Sequence, residues 1–341
     1  MSKIRLALIG TGYIAQAEHI PAILNCKDCE LVALVDPRPR LLKALGERLN
    51  VQTYPTLFEA LNGCEFDVVD ICTGPLVHEE LIKAAAMAGK HILVEKPLTH
   101  SVTQAEAALK VVKEHGVKLM VGYMRRFDDD VLKVKELIEN GKVGKIQSIL
   151  TLFKLVFKPY YIPVIDPVNE DRPVELQASP EPVDLLPADQ IINQSIHHLN
   201  LIRFLGGEIA EVTAVQKTEQ ICNILFRMEN GALGNHCHAG GMGNGEEFWV
   251  FGDGGSIHSR LWSPHLPYQF PETVHYDPAA SLESKLVMPR LNPYQNEIDV
   301  FMKWICDGGT NPASGEDAVR DLKVIEKIHE AIRSLKGVSV Q

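Results

Sequence analysis

Ile4-Arg5-Leu6-Ala7-Leu8-Ile9-Gly10-Thr11-Gly12-Tyr13-Ile14-Ala15 is the stretch on which the reading of this chain turns. The run Ile4 to Ile9 is apolar on both sides of its alternation, as in a strand buried on both faces of a parallel sheet. Directly after it stands a G-x-G-x-x-A pattern at the mouth of a helix. Gly10 permits a tight turn, Gly12 lets backbone approach a pyrophosphate, and Ala15 keeps helix and sheet close. The free N–H groups of the helix start, with Tyr13 and Ile14, then offer themselves to phosphate. Asp36 follows the second strand at the offset where an acid accepts hydrogen bonds from an adenosine ribose. A carboxylate there repels a 2′-phosphate, so the expected cofactor is NAD. Arg38 could pair with a 2′-phosphate, but a solvent-exposed arginine is the favoured reading.

Outward from this motif, Leu31 to Val35, Val68 to Ile71, His91 to Val94 and Lys118 to Val121 also read as buried strands. Amphipathic stretches at Leu76 to Ala88 and Val102 to His115 separate them, which predicts a doubly wound parallel sheet over residues 1–123. From 124 to 341 the pattern changes to helix plus antiparallel strands. A helix runs to about Asn140, a strand over Ile146 to Phe157, a helix over Ile191 to Leu205, strands over Glu211 to Ile257, and two helices over Tyr294 to Ile305 and Glu316 to Leu335. The fold class is therefore α/β, a Rossmann domain followed by an α+β domain. Residues Lys158 to Pro187, rich in prolines and acids, are expected to border the substrate pocket or a subunit contact.

Composition narrows the function. Acidic residues number 44 against 34 basic ones, a net charge of -10, which argues against attraction to nucleic acid or an anionic membrane. A small-molecule substrate is the expected partner. No segment reads as a signal peptide or membrane span, and seven scattered cysteines suit reduced thiols, so a cytoplasmic location is expected. Cys26-x-x-Cys29 and His236-Cys237-His238 lack a further ligand pair at zinc spacing, and no metal is expected.

Glu95-Lys96-Pro97 ends another strand of the same sheet, at the edge where such sheets bind ligands. A lysine beside a cationic nicotinamide has its ammonium form disfavoured, which suits proton exchange with an alcohol. With Ile71-Cys72-Thr73-Gly74-Pro75, His78, Ala86 to Lys90, Val94 to Pro97 and Gly122-Tyr123-Met124-Arg125-Arg126-Phe127, the chain resembles the glucose-fructose oxidoreductase, inositol dehydrogenase and rhizopine-catabolism family. Gly252 to Ile257 and Ser314 to Ala318 extend the resemblance across the chain.

The resemblance implies a second domain with a large open, mostly antiparallel sheet, a site between the domains, and a homo-oligomer, dimer or tetramer. It makes Lys96 a residue touching both substrate and cofactor, and it lines the dinucleotide groove with Thr73, Gly74, Pro75, His78, Glu95 and Arg126. Tyr123, Arg126 and Lys154 are further substrate-binding candidates. It also matches Asn193-Gln194-Ser195-Ile196-His197-His198-Leu199-Asn200 to a helix carrying D-x-G-x-H-x-x-D. Positions 193, 197 and 200 share one helix face, while His198 is rotated about 100° away. His197 is accordingly the second catalytic candidate and Asn193 a substrate-binding one. Asn193 and Asn200 replace acids, and amides bind hydroxyls without titrating.

The expected activity is NAD-dependent hydride transfer to or from a secondary hydroxyl of a sugar, inositol or glycoside. Two alternatives are a glycoside oxidoreductase or glycosidase that recycles a bound NAD, and a non-catalytic dinucleotide-binding regulator, which the missing acids favour.

Overall fold

The computed structural model describes residues 3–155, 190–240, 245–261, 271–288 and 292–334. The chain divides into two compact units: of the described residues, the first holds those up to Met124 and Tyr294–Arg320, the second the others.

In the first unit the elements are β1 (Ile4–Ile9), α1 (Ile20–Asn25), β2 (Cys29–Val35), α2 (Pro39–Leu49), β3 (Gln52–Tyr54), α3 (Leu57–Gly63), β4 (Val68–Ile71), α4 (His78–Met87), β5 (His91–Glu95), α5 (Val102–Glu114) and β6 (Leu119–Gly122). All six strands are parallel in the order β3-β2-β1-β4-β5-β6, the order of connection reversing between β1 and β4. Leu6, Ala7 and Leu8 are fully buried, as are Val68, Val69 and Ile71. Each such aliphatic side chain contributes about 1.5–3 kcal/mol on leaving water. β3 escapes the sequence pattern because it is three residues long and half of it or more stays exposed. Before α1, Ala15–His19 is wound as π-helix. Pro21 has no N–H for the carbonyl of Ala17 and its ring crowds that carbonyl, so the ladder widens one turn earlier.

The second unit contains α6 (Asp129–Glu139), β7 (Ile146–Leu155), α7 (Gln190–Gly206), β8 (Ile209–Lys217), β9 (Ile221–Met228), β10 (Leu233–Gly240), β11 (Gly245–Gly252), β12 (Ser256–Leu261), β13 (Glu272–Asp277) and β14 (Leu282–Leu286). Eight strands pair in the order β14-β13-β12-β11-β7-β10-β9-β8, antiparallel throughout except for β7 against β10. β13 and β14 extend the sheet beyond the expected end at Ile257. They carry little apolar alternation, and β14 is an exposed edge. α7 packs on the face bearing Thr151, Phe153, His236 and His238, which alternation turns inward.

Two helices close the chain, α8 (Pro293–Asp307) and α9 (Gly315–Ser334). The boundary at 123/124 placed 294–320 with the second domain, whereas this segment returns to the edge strand of the first sheet. Val121 N donates to Ala313 O at 2.9 Å, and Lys118 Nζ donates to the carbonyls of Trp304 and Ile305 at 2.7 and 3.0 Å. An otherwise open strand edge is thereby covered. No helix among the described residues is long and apolar enough to cross a membrane.

Candidate active site

The carboxyl edge of the parallel sheet gathers most of the expected cofactor residues. Gly10 has φ +86°, and a Cβ there would sit 2.8 Å from Thr73 Cγ2 and 2.9 Å from the Cys72 carbonyl. It is required both by its left-handed backbone and by the close approach of the β4 turn. A Cβ on Gly12 or Gly74 would instead meet nothing within 4 Å, so backbone borders open space at both positions. Tyr13 and Ile14, the first helical residues, are half-buried.

Asp36 is 2% exposed. Its Oδ2 accepts from Thr11 N at 2.8 Å and Thr11 Oγ1 at 2.9 Å, and its Oδ1 accepts from Arg38 N at 3.0 Å. The Arg38 guanidinium forks onto the same carboxylate, Nε to Oδ1 at 2.7 Å and Nη2 to Oδ2 at 2.6 Å. Burial pushes the carboxyl up, but the bonds from Arg38 and the Thr11 amide outweigh it and hold Asp36 below its ordinary value. Arg38 is thus neither a free phosphate anchor nor an unattached surface residue.

Among the described residues Thr73 Oγ1 is buried without a hydrogen-bond partner, a group that a bound polar ligand would satisfy. Pro75 starts a single 3₁₀ turn, after which His78 is fully buried. His78 contacts carbonyls on both sides, Nε2 to Thr73 O at 3.0 Å and Nδ1 to Pro97 O at 3.0 Å. Burial lowers its proton affinity despite those carbonyls, so near neutral pH the ring carries one N–H and donates to one of the two turns it lies between. The resemblance made His78 a groove residue; its side chain is fully buried between the Thr73 and Pro97 turns. Glu95 is buried, with Oε1 3.1 Å from His19 Nε2 and Oε2 accepting from Lys96 N at 3.0 Å. Lys96 is half-buried, and among the described residues its ammonium makes no hydrogen bond or ion pair. Loss of hydration lowers its proton affinity by more than the Glu95 charge raises it. Tyr123, expected at the substrate, is 1% exposed.

In the second unit, α7 presents His197 half-buried and His198 1% exposed. His198 stacks on His236 at 5.3 Å and meets Phe153 at 4.7 Å between ring centroids. Burial drives its proton affinity down to about 3, aided by the nearby Arg125 charge. Asn200 faces neither solvent nor open space: Oδ1 accepts from Arg126 Nε at 2.7 Å and Nδ2 donates to Asp321 Oδ2 at 2.7 Å. Arg126, expected in the groove, is buried here over the Phe204 ring at 5.0 Å. Lys154 lies on the wrong face of β7. Phe153 turns toward α7 and Lys154 away from it, where Lys154 Nζ pairs with Glu247 at 3.3 Å. Period-two alternation therefore removes Lys154 from any site on α7. The Asn193 side chain and residues 158–187 lie outside the described residues.

Two family models match the chain: the oxidoreductase family with NAD-binding Rossmann fold over residues 4–123, and its C-terminal alpha/beta domain over 190–340. The chain belongs to the glucose-fructose oxidoreductase, inositol dehydrogenase and rhizopine-catabolism family.

Similar proteins include the uncharacterized oxidoreductase YrbE of Bacillus subtilis, 28% identical over 99% of this chain and 97% of that protein. The myo-inositol 2-dehydrogenase of Thermotoga maritima is 27% identical over 99% of this chain and 98% of its own. Aldose-aldose oxidoreductase from Caulobacter crescentus, crystallised with glycerol, superposes with a TM-score of 0.78 at 25% identity, covering 97% of this chain and 98% of that one. The first unit of this chain is an NAD(P)-binding Rossmann domain. What motif reading missed is His19, 1% exposed between Asp70 and Glu95. A histidine nine residues after Gly10 has no local pattern to flag it, since its partners come from β4 and β5.

Proposed function

We propose that this family member is an NAD-dependent dehydrogenase acting on a secondary hydroxyl of a sugar, inositol or glycoside, with Lys96 and His197 as its proton-handling residues. The observation that carries the proposal is Lys96, a lysine eased toward its neutral form at the carboxyl end of β5, on the sheet edge that also bears the Gly10–Gly12 turn and Asp36. The edge fits a dinucleotide: open space borders Gly12 and Gly74, and among the described residues the buried Thr73 hydroxyl lacks a partner. Gly10, Gly12, Tyr13, Ile14, Asp36, Thr73, Gly74 and Pro75 would hold it. Bound there, NAD supplies a two-electron hydride acceptor.

Neutral Lys96 takes the proton of the substrate hydroxyl through Nζ, and as an ammonium it returns one in the reverse direction. His197 is the second proton-exchanging group, and Asn193 is a hydroxyl-binding amide in sequence position. The relatives' names, inositol and aldose enzymes, support the substrate class. The regulator alternative rests on amides at 193 and 200 in place of acids, and the Asn200 amide is engaged by Arg126 and Asp321. All seven cysteines are unbridged, which supports the proposed cytoplasmic setting. Absorbance of reduced nicotinamide, followed while sugars, inositols and glycosides are added to protein with NAD, tests the proposal.

A further inference from the structure

A chain of buried polar groups runs beneath the Lys96 turn, all within the first unit. His19 stands at the end of the π-helical stretch, 1% exposed, with Nδ1 2.8 Å from Asp70 Oδ2 and Nε2 3.1 Å from Glu95 Oε1. An ionised carboxylate only accepts, so a ring that faces one with each nitrogen carries both protons and is an imidazolium. Glu95 uses its other oxygen to accept the Lys96 backbone N–H at 3.0 Å. The path Asp70, His19, Glu95, Lys96 amide is therefore continuous.

Four further titratable groups, Cys72, Tyr294, Glu297 and Glu18, pack around it. Cys72 Sγ donates to Asp70 Oδ1 at 3.5 Å, and burial keeps it a thiol. From α8, Tyr294 meets the His19 ring edge-on at 5.4 Å and is held neutral by burial. Glu297, fully buried with neither carboxyl oxygen hydrogen-bonded among the described residues, is driven well above its ordinary range by burial and by the Glu95 and Asp70 charges. Glu18, beside His19 on its own helix, is also buried.

We propose that His19 is a positioning residue for Lys96: its imidazolium offsets the Glu95 charge and locks that carboxylate onto the Lys96 amide, so that the ammonium beside it gives up its proton readily. The proposal rests on Lys96 as the proton-exchanging group. Glu95 attracts the Lys96 charge and burial opposes it, so any cation that cancels part of the Glu95 field favours neutral Lys96. Burial alone would deprotonate His19, yet the Asp70 charge and hydrogen bond more than compensate and raise its affinity well above the ordinary value. Glu95 is held low in turn, against its burial, by the His19 bond and charge and by Lys96.

Lys96 is titrated directly by NMR on the full chain after reductive ¹³C-methylation of its lysines, the signal being assigned by its loss in Lys96→Arg. In His19→Gln the midpoint is expected to rise by about one pH unit, the scale of a single nearby charge. In His19→Lys, which restores a cation, it returns to the wild-type value. An unchanged or lowered midpoint in His19→Gln overturns the proposal. If neither variant folds, ¹⁵N-histidine spectra of the wild type decide: protons on both His19 nitrogens at about pH 7 support the proposal, and a neutral ring overturns it. The titration needs no substrate, so absence of turnover with every polyol would count against the dehydrogenase proposal alone.

Discussion

Arg38 and Asp36 clasp each other, with Nε 2.7 Å from Oδ1 and Nη2 2.6 Å from Oδ2 on a carboxylate that Thr11 already holds. A ribose diol reaching Asp36 exchanges with the guanidinium fork, whereas a 2′-phosphate arrives beside a buried negative charge. NAD is therefore expected to bind at least about tenfold more tightly than NADP, a difference of about 1.4 kcal/mol. Arg38→Ala should leave NAD affinity within about threefold, and Asp36→Ala should abolish the preference. Calorimetric titration with both cofactors measures this, and an NADP preference in the wild type contradicts it.

Gly10 and Gly12 answer to different constraints. Gly10→Ala forces a Cβ within 2.8 Å of Thr73 at φ +86° and should destabilise the fold by about 1–3 kcal/mol. Gly12→Ala places its methyl in open space, so thermal stability should hold while NAD binding weakens about tenfold or more. Paired melting and binding curves separate the two; equal destabilisation of both variants would show that Gly12 is only a turn residue.

Asn200 joins Arg126 to Asp321, and Arg203 Nη1 meets the other Asp321 oxygen at 2.5 Å. Restoring the acid of relatives by Asn200→Asp sets a carboxylate against a buried carboxylate. The variant should lose about 1–3 kcal/mol of stability and gain no turnover. Denaturant unfolding and steady-state kinetics test this; a rise in kcat would mean that position 200 serves the chemistry.

His198 carries a pH signature. Its folded proton affinity, about 3, lies below the ordinary histidine value, so its contribution is intact above about pH 6.5 and is lost as pH falls toward 3. The unfolded chain takes up that proton first. His198→Phe, of similar shape beside Phe153 and His236, should flatten the fall in unfolding free energy between those limits and cost little at neutral pH. An unchanged acid limb would assign the loss to other groups.

The nucleotide-binding half was legible because its strands are buried on both faces and its turn residues sit next to one another in sequence. Asp36, Thr73 and Lys96 follow β2, β4 and β5, where the doubly wound arrangement brings strand ends to one edge. Lys154 was misplaced for a different reason: neighbours in a strand point to opposite sides, and Phe153, not Lys154, faces α7. Arg126 lies in the 3₁₀ turn Met124–Phe127, and its partner Asn200 stands 74 residues away. His19 was invisible since its partners stand 51 and 76 residues away. The return of 294–320 to the first unit and the exposed strand β14 likewise depend on pairings between distant segments.

The most direct measurement is the initial rate of NAD reduction by wild type, Lys96→Ala and His197→Ala with the best substrate from a panel of sugars, inositols and glycosides. Each variant is expected to lose about 10²-fold or more in kcat with NAD affinity largely retained, the usual contribution of a positioned acid-base group. Near wild-type turnover in Lys96→Ala would contradict proton transfer at Lys96, and no turnover by the wild type on any member of the panel would contradict the dehydrogenase itself.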